Sequence, residues 1–443
     1  MPDSFGRERN HWRFKTLRGN EEGSPDAVTE DSTESSDFSQ AGSLRIRAVA
    51  LAIVLALAFA LTLNRGFAGQ IQHDVFFSLT LAGCTLIFLS VRSLREFPQA
   101  IGLGLLLGAL QVLALKSPVR VLPAFAFLGF GSLVLLAARR IWSTAEERQL
   151  LQDATLPPLL FLLLGYVGSG PLEMTARLHP KTLDWFLYSF DQSLGVQLSF
   201  KLGQLVLPSH LLTRIMVVAY YGLPLAIMFT YARQLLRNRK LAMTAFLAFV
   251  IAGPLGVVFY NLVPAGGPGN LFGSQYPFDP LTTEQLRQLP IQALVIPGPR
   301  NAFPSLHLAW ALLVWWYSEG LSRWSKALFV VFLVGTVFST LCLGEHYFVD
   351  LVAAFPFALM IQAACALNVS NLSTRTLVPL GAGAMLMVGW MVLLRWGLPL
   401  MWINPLVPWF LVAGTISLTI LLQRRLRPLL PSPPAGARSL EGL

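Results

Sequence analysis

The feature that most constrains this chain is a succession of long apolar blocks separated by short polar connections. A helix that crosses a bilayer needs roughly 20 mostly apolar residues, with about 17 as the lower limit. The sequence therefore predicts an all-α fold, a polytopic membrane helical bundle with about twelve spanning helices. The predicted spans lie at about 46–63, 75–91, 100–115, 121–138, 155–170, 211–231, 241–260, 303–319, 325–343, 347–367, 376–394 and 403–422.

The composition favours a membrane protein over a soluble one. Hydrophobic residues make up 54% of the chain and charged residues 13%, whereas a soluble protein usually carries about 25% charged residues. In a soluble protein the net charge of +10 would suggest nucleic-acid binding. Here cationic cytoplasmic loops explain that charge, so we expect no nucleic-acid partner. Cys84, Cys342 and Cys365 lie in apolar blocks at unrelated spacings, and they indicate neither disulfides nor a zinc site.

The Lys and Arg residues predict an orientation for the spans. If the N-terminal tail is cytoplasmic, the cytoplasmic side also receives Arg92, Arg95, Arg139 and Arg140. The outer loops are longer in total but hold fewer cations, as the positive-inside rule requires. The sequence thus predicts an integral protein of the cell membrane with both termini in the cytoplasm.

Composition also divides the chain into parts. Residues 1–44 are polar and rich in Ser, Asp and Glu, which predicts a disordered cytoplasmic tail. Residues 426–443 are rich in Pro and Gly and predict a second disordered tail. Between the tails we expect an accessory four-helix membrane region at 45–150, a catalytic core at 151–370 and two accessory spanning helices at 371–425.

Two long loops fall on the outer side, at about 171–210 and 261–302. Long loops carry function more often than short ones. The aromatic residues between Leu183 and Tyr188 predict a segment that lies in the membrane interface. In the third span, Gly104 and Gly108 form a pair of small residues that helix packing alone explains.

The first polar motif runs from Pro299 to His307, at the outer end of a predicted span. Asn301 can cap the helix, Pro304 suits its first turn, and the free amides near Ser305 then form an anion site. Arg300 adds a charged fork that matches phosphate oxygens, and His307 adds a proton donor or acceptor.

The second motif runs from Gly344 to Asp350, at the outer end of another span. His346 and Asp350 are four residues apart and would share one face of a helix. A carboxylate beside a histidine can fix its tautomer and stabilise its charged form. One histidine near a membrane surface is usually an ordinary polar residue. Two such motifs that open on the same side indicate a reactive site.

These residues resemble the type 2 phosphatidic acid phosphatase superfamily, which includes the vanadium haloperoxidases. That family carries a Pro-Ser-Gly-His string and a Ser-Arg-x5-His-x3-Asp string. Here Pro304-Ser305-Leu306-His307 matches the first string, and Ser339, His346 and Asp350 match the second, with Thr340 in place of Arg. The variants Phe-Pro-Ser-Leu-His and His-Tyr-Phe-Val-Asp look most like the inositol phosphorylceramide synthase branch. The resemblance covers about 155–367 and implies a six-helix phosphatase-like core.

The resemblance also implies a mechanism. His346 would attack phosphorus to form a phosphohistidine, Asp350 would orient it, and His307 would protonate the leaving alkoxide. The family's Lys-x6-Arg-Pro string is missing, because 261–270 contains no Lys or Arg. Arg300, Ser305 and Ser339 are therefore the candidate phosphate ligands. No metal or cofactor is expected, and the expected partners are the bilayer and a phospholipid or lipid phosphate.

Several alternatives stay open. If water is the acceptor, the protein is a lipid phosphatase, whereas a lipid hydroxyl as acceptor makes it a head-group transferase. Two histidines and an aspartate could also bind a metal ion. Twelve spans would suit a lipid or solute transporter, although transporters place their sites near the bilayer midplane. A catalytically dead scaffold is the remaining alternative.

Overall fold

The structure is a computed structural model that describes residues 31–116, 118–367 and 373–427. It divides into two compact units, Met1–Ala50 and Leu51–Leu443, and every contact discussed below lies within the second. Two short strands, β1 (Lys181–Thr182) and β2 (Leu294–Val295), pair antiparallel. The helices are α1 (Asp31–Leu63), α2 (Arg65–His73), α3 (Val75–Val91), α4 (Phe97–Leu115), α5 (Val121–Arg139), α6 (Ala145–Leu178), α7 (Asp184–Ser193), α8 (Leu198–Val206), α9 (His210–Tyr221), α10 (Leu223–Arg237), α11 (Arg239–Leu262), α12 (Pro268–Phe272), α13 (Thr283–Gln288), α14 (Leu306–Tyr317), α15 (Arg323–Cys342), α16 (Phe348–Ala366), α17 (Thr374–Val392), α18 (Leu398–Met401) and α19 (Leu406–Leu426).

The predicted all-α polytopic fold is confirmed. In the described part of the chain, nine helical segments are long and apolar enough to cross a membrane. Two bent pairs, α2 with α3 (91°) and α9 with α10 (47°), raise the number to eleven if each pair is one span. The protein is therefore built as an integral membrane protein.

Helix α14 accounts for the difference from the predicted twelve spans. It has 12 residues, which at 1.5 Å per residue is about 18 Å and falls short of the roughly 30 Å hydrocarbon core. Ser305, just before α14, donates its N–H to the Asp350 carbonyl near the start of α16. At the other end of α14, the Tyr317 carbonyl accepts a hydrogen bond from Gln234 near the end of α10. Hydrogen bonds thus join the residue before α14 to the start of α16, and the last residue of α14 to the end of α10.

The packing of α4 on α5 explains the glycine pair noted in the third span. A Cβ atom on Gly104 would lie 2.8 Å from the carbonyl oxygen of Phe127. The two backbones therefore approach more closely than any larger residue would allow. Phe77, Leu81 and Phe130 complete a small hydrophobic cluster in this region.

Helix α16 lies at the centre of the larger hydrophobic cluster and is buried along nearly its whole length. Helices α11, α14, α17 and α19 pack around it. Trp316, Tyr317 and Phe357 are among the large side chains buried there. Because α16 is enclosed on all sides, the residues at its start have fixed surroundings, and the second polar motif lies at that start.

Part of the predicted domain division falls outside the described residues, namely residues 1–30 and 428–443 of the two tails. Helix α1 begins at Asp31. The remaining domain boundaries stay predictions.

Candidate active site

The two polar motifs meet where α14 and α16 begin. Ser305 is the N-cap of α14, and its Oγ accepts a hydrogen bond from the Leu308 N–H (3.4 Å). The Ser305 N–H donates to the Asp350 carbonyl (3.0 Å), which ties the first motif to the second. The cap predicted at Asn301 is wrong, because Ser305 is the N-cap and the helix begins only at Leu306.

His346 lies in the connection before α16, and it is 2% exposed. Its Nδ1 is 2.9 Å from the carbonyl oxygen of Ala302. Since a carbonyl only accepts hydrogen bonds, Nδ1 carries the proton in this geometry and Nε2 keeps its lone pair. Burial lowers the pKa of His346 to about 4, against smaller opposing effects of Glu345 and the Ala302 carbonyl. The imidazole is therefore neutral at physiological pH.

Asp350 lies beside His346. The spacing predicted that the two residues share one face of a helix, and this is wrong, because His346 lies before the helix. Helix α16 begins only after His346, because Asp350 Oδ2 accepts the Tyr347 N–H (2.7 Å) and so caps the helix start. The same oxygen is 3.6 Å from His346 Nδ1. Asp350 Oδ1 is buried and has no hydrogen-bond partner among the described residues. The carboxylate can thus balance positive charge on the imidazole without sharing its proton.

His307 faces His346 from the first turn of α14. The centroids of the two rings are 6.3 Å apart, and their planes are inclined by 60°. On its other side His307 stacks on Tyr220, with ring centroids 4.0 Å apart. The Tyr220 hydroxyl is hydrogen-bonded to the Glu345 side chain. The stacked ring holds the orientation of the imidazole, while burial and the neighbouring His346 lower the pKa of His307 to about 3.

Arg300, which the sequence predicts as a phosphate ligand, donates its side-chain hydrogen bonds to the protein backbone. It is 2% exposed, and its guanidinium uses all five N–H groups within the protein. These groups donate to the backbone carbonyls of His179, Pro180, Ile296, Pro297 and Gly298 at 2.5–3.4 Å. Two of those carbonyls are distant in sequence, so the motif alone could not reveal the arrangement. Arg300 fastens the loop before α14, and the geometry gives no support to its predicted phosphate role.

We expect Arg300→Lys to lower thermal stability. A lysine ammonium is one point charge and cannot reach carbonyls spread around a planar fork. Each buried carbonyl left unsatisfied costs on the order of 1–3 kcal/mol. Thermal unfolding in detergent measures the effect, and the exposed Arg214→Lys is the matched control. A normal melting temperature combined with a raised KM would instead restore the phosphate role.

The two candidate serines differ in what their hydroxyls can offer. Ser339 is fully buried in α15, and its Oγ donates to the Thr336 carbonyl of the same helix (3.2 Å). That hydroxyl proton is therefore used within α15, and the geometry gives no support to a phosphate role for Ser339. Ser305 Oγ acts as an acceptor in its cap, so its proton is left to donate. The Leu306 and His307 amides, which precede the first intrahelical bond, are the backbone donors at this helix start.

Sequence reasoning missed two buried acids, Asp184 and Asp191, at the two ends of α7. Asp191 accepts the N–H groups of Phe348 (2.7 Å) and Val349 (3.1 Å), so it caps α16 together with Asp350. Asp184 accepts bonds from the loop that follows α11. The place of these two acids within a segment that is rich in aromatic residues was the sequence feature that could have indicated them.

Helix α7 itself was interpreted wrongly as an interfacial segment. Leu187, Tyr188 and Phe190 are fully buried and pack into the protein. The C-terminal helices hold α7 in place, since the Trp402 indole N–H donates to Ser189 Oγ (3.3 Å).

Within the described ranges, no group of three or more His, Cys, Asp or Glu residues is arranged to hold a metal ion.

Residues 185–364 match the family model of the PAP2 superfamily. The matched segment contains His307, His346 and Asp350, and it supports the resemblance to the type 2 phosphatidic acid phosphatase superfamily. It also supports a function of phosphatase or phosphotransferase type. The chain matches no curated protein and no solved structure.

Proposed function

We propose that the segment similar to the PAP2 superfamily makes this protein a membrane-embedded enzyme that acts on a lipid phosphate or phospholipid through a phosphohistidine. The observation that carries the proposal is the approach of His307 to His346 (6.3 Å between ring centroids), with Asp350 3.6 Å from the second imidazole. Two imidazoles at this separation can act on opposite sides of one phosphorus atom.

In the first step His346 Nε2 attacks phosphorus, a P–N bond forms, and the P–O bond to the leaving lipid alkoxide breaks. Burial lowers the pKa of His307, but the anionic phosphate of a bound lipid favours the protonated form, and His307 then gives its proton to that alkoxide. In the second step the oxygen of the acceptor attacks phosphorus and the P–N bond breaks, while His307 takes the acceptor's proton. Asp350 balances the positive charge that His346 carries in the intermediate.

The phosphoryl oxygens must be stabilised without Arg300 and Ser339. We assign this role to the Leu306 and His307 amides and to the Ser305 hydroxyl, at the positive end of the α14 dipole. Because these donors are fixed in advance, they need not reorganise as charge shifts onto the phosphoryl oxygens in the transition state.

The motif variants favour head-group transfer of the inositol phosphorylceramide synthase type over simple hydrolysis. We place the site on the extracytoplasmic face of the cell membrane, with both termini cytoplasmic, on the distribution of Lys and Arg. The site lies at helix ends rather than at mid-helix, which favours an enzyme over a transporter.

A lipid panel tests this proposal. The protein is purified in detergent and incubated with phospholipids and lipid phosphates, with and without lipid alcohols. Release of free phosphate identifies a phosphatase, and a new phospholipid that forms only with an added alcohol identifies a transferase. An absence of turnover on a broad panel would contradict the proposal.

The low pKa of His346 predicts how activity depends on pH. The nucleophile must be neutral, so the decline of kcat/KM that protonation of His346 causes at low pH should be centred near its pKa of about 4 rather than near 6.5. Glu345 raises this pKa, so Glu345→Gln should move the decline to lower pH. A decline centred near 6.5 in both proteins would contradict a buried neutral nucleophile.

A further inference from the structure

Asp184 is a fully buried carboxylate that has no part in the mechanism above. Its oxygens accept hydrogen bonds from the Gly266 N–H (3.0 Å), the Gly267 N–H (2.9 Å) and the Tyr347 hydroxyl (2.9 Å). A side-chain hydrogen bond from Thr182 adds to these. Burial raises the pKa of Asp184, and the hydrogen bonds from these donors oppose that rise. A buried acid with this many donors is expected to hold its surroundings rigidly.

Tyr347 connects this carboxylate to the reactive histidine. It follows His346 directly in the chain, and its N–H donates to Asp350 Oδ2 (2.7 Å) while its hydroxyl donates to Asp184. Both ends of the residue are thus fixed by acids. The position of the His346 backbone depends on both anchors.

Asp184 also reaches the other side of the imidazole, through the glycine-rich loop. Next to the two glycines that donate to Asp184, the carbonyl of Ala265 accepts the Ala302 N–H (2.9 Å). The carbonyl of Ala302 in turn contacts His346 Nδ1 (2.9 Å). The group that fixes the tautomer of His346 is therefore placed by the loop that Asp184 holds.

Gly267 shows how closely this loop lies against the reactive histidine. Its φ is +89°, and a Cβ atom there would lie 2.4 Å from the Glu345 carbonyl oxygen. Only glycine fits at this position. A shift of the loop would press on the residue next to His346.

We propose that Asp184, acting through Tyr347, is a positioning residue for His346. The inference rests on the proposed function. Asp184 touches neither imidazole. Instead it fixes the residue that follows His346 and the loop that supplies the carbonyl on Nδ1. A displacement of about 1 Å in a reacting group can lower the rate about 10²-fold. Loss of the Asp184–Tyr347 contact should therefore lower kcat and leave KM nearly unchanged.

Tyr347→Phe tests the proposal, because it removes only the hydroxyl. The matched control is Tyr188→Phe, since Tyr188 is also fully buried and its hydroxyl bonds to the Leu281 backbone rather than to Asp184. We expect kcat to fall about 10–100-fold in Tyr347→Phe and to stay normal in Tyr188→Phe. Thermal unfolding in detergent should show that both variants are folded. The substrate is whichever lipid the wild type turns over on the panel.

Asp184→Asn and the double variant complete the test. If the two residues act as a unit, the double variant should be no slower than Asp184→Asn alone. An active wild type with normal kcat in Tyr347→Phe would overturn this inference alone, and so would an equal loss in Tyr188→Phe. An inactive wild type would overturn the proposed function and this inference with it.

Discussion

Replacement of His346 by alanine should abolish turnover while the protein still folds and inserts. The imidazole is the proposed nucleophile, and Nε2 is the nitrogen left with a lone pair once Nδ1 faces the Ala302 carbonyl. Removing a nucleophile from a covalent mechanism typically lowers kcat by roughly 10⁴-fold or more. The rate of product formation from the most active lipid on the panel measures the effect.

The control for this variant is His210→Ala. His210 is exposed at the start of α9 and has no role in the proposed mechanism. It should keep normal kcat and a normal melting temperature. Measurable turnover by His346→Ala at more than about a hundredth of the wild-type rate would rule out the covalent route.

Asp350→Asn should have the second largest effect, a fall in kcat of about 10³-fold or more. The amide oxygen of asparagine can still accept the Tyr347 N–H that caps α16, so folding should persist. What disappears is the negative charge 3.6 Å from His346 Nδ1, which stabilises the positive charge gained by the phosphohistidine.

Asp191→Asn provides the matched comparison for Asp350→Asn. Asp191 caps the same helix through Phe348 and Val349 and is equally buried, and among the described residues its side chain accepts hydrogen bonds from that helix start. The two variants are compared by kcat and by thermal unfolding. A loss of kcat confined to Asp350→Asn indicates that the charge beside the imidazole matters, whereas support of the α16 start is lost in both variants. Equal losses of kcat in both would mean that Asp350 only supports the helix.

Some of this architecture was readable from the sequence because it depends on local pattern. The apolar blocks predicted the spanning helices, since length and hydropathy belong to each segment by itself. Helix α14 departed from the pattern because the apolar run from 303 begins before the helix does. Residues 303 and 304 form a bend, and Ser305 caps the helix, which begins only at Leu306.

The candidate site was predictable in part for the same reason. His307, His346 and Asp350 lie in two short strings at helix ends, and the strings meet in the structure. The carbonyl partners of Arg300 could not be predicted, because they include His179 and Pro180, which only the tertiary fold brings near, and its role as a phosphate ligand stays a prediction. Asp184 was overlooked for a similar reason, since nothing local shows that two glycine amides and a tyrosine hydroxyl will surround it.

The most direct test of the central claim is to trap the covalent intermediate. The wild type is mixed with a lipid substrate that carries a radioactive phosphorus in the transferred group, and the reaction is stopped with alkali, under which a phosphohistidine persists. We predict that label appears on the peptide containing His346 at a rate at least equal to turnover, and that His346→Ala acquires none. Turnover by the wild type without labelled protein, or with label on another residue, would contradict the phosphohistidine mechanism.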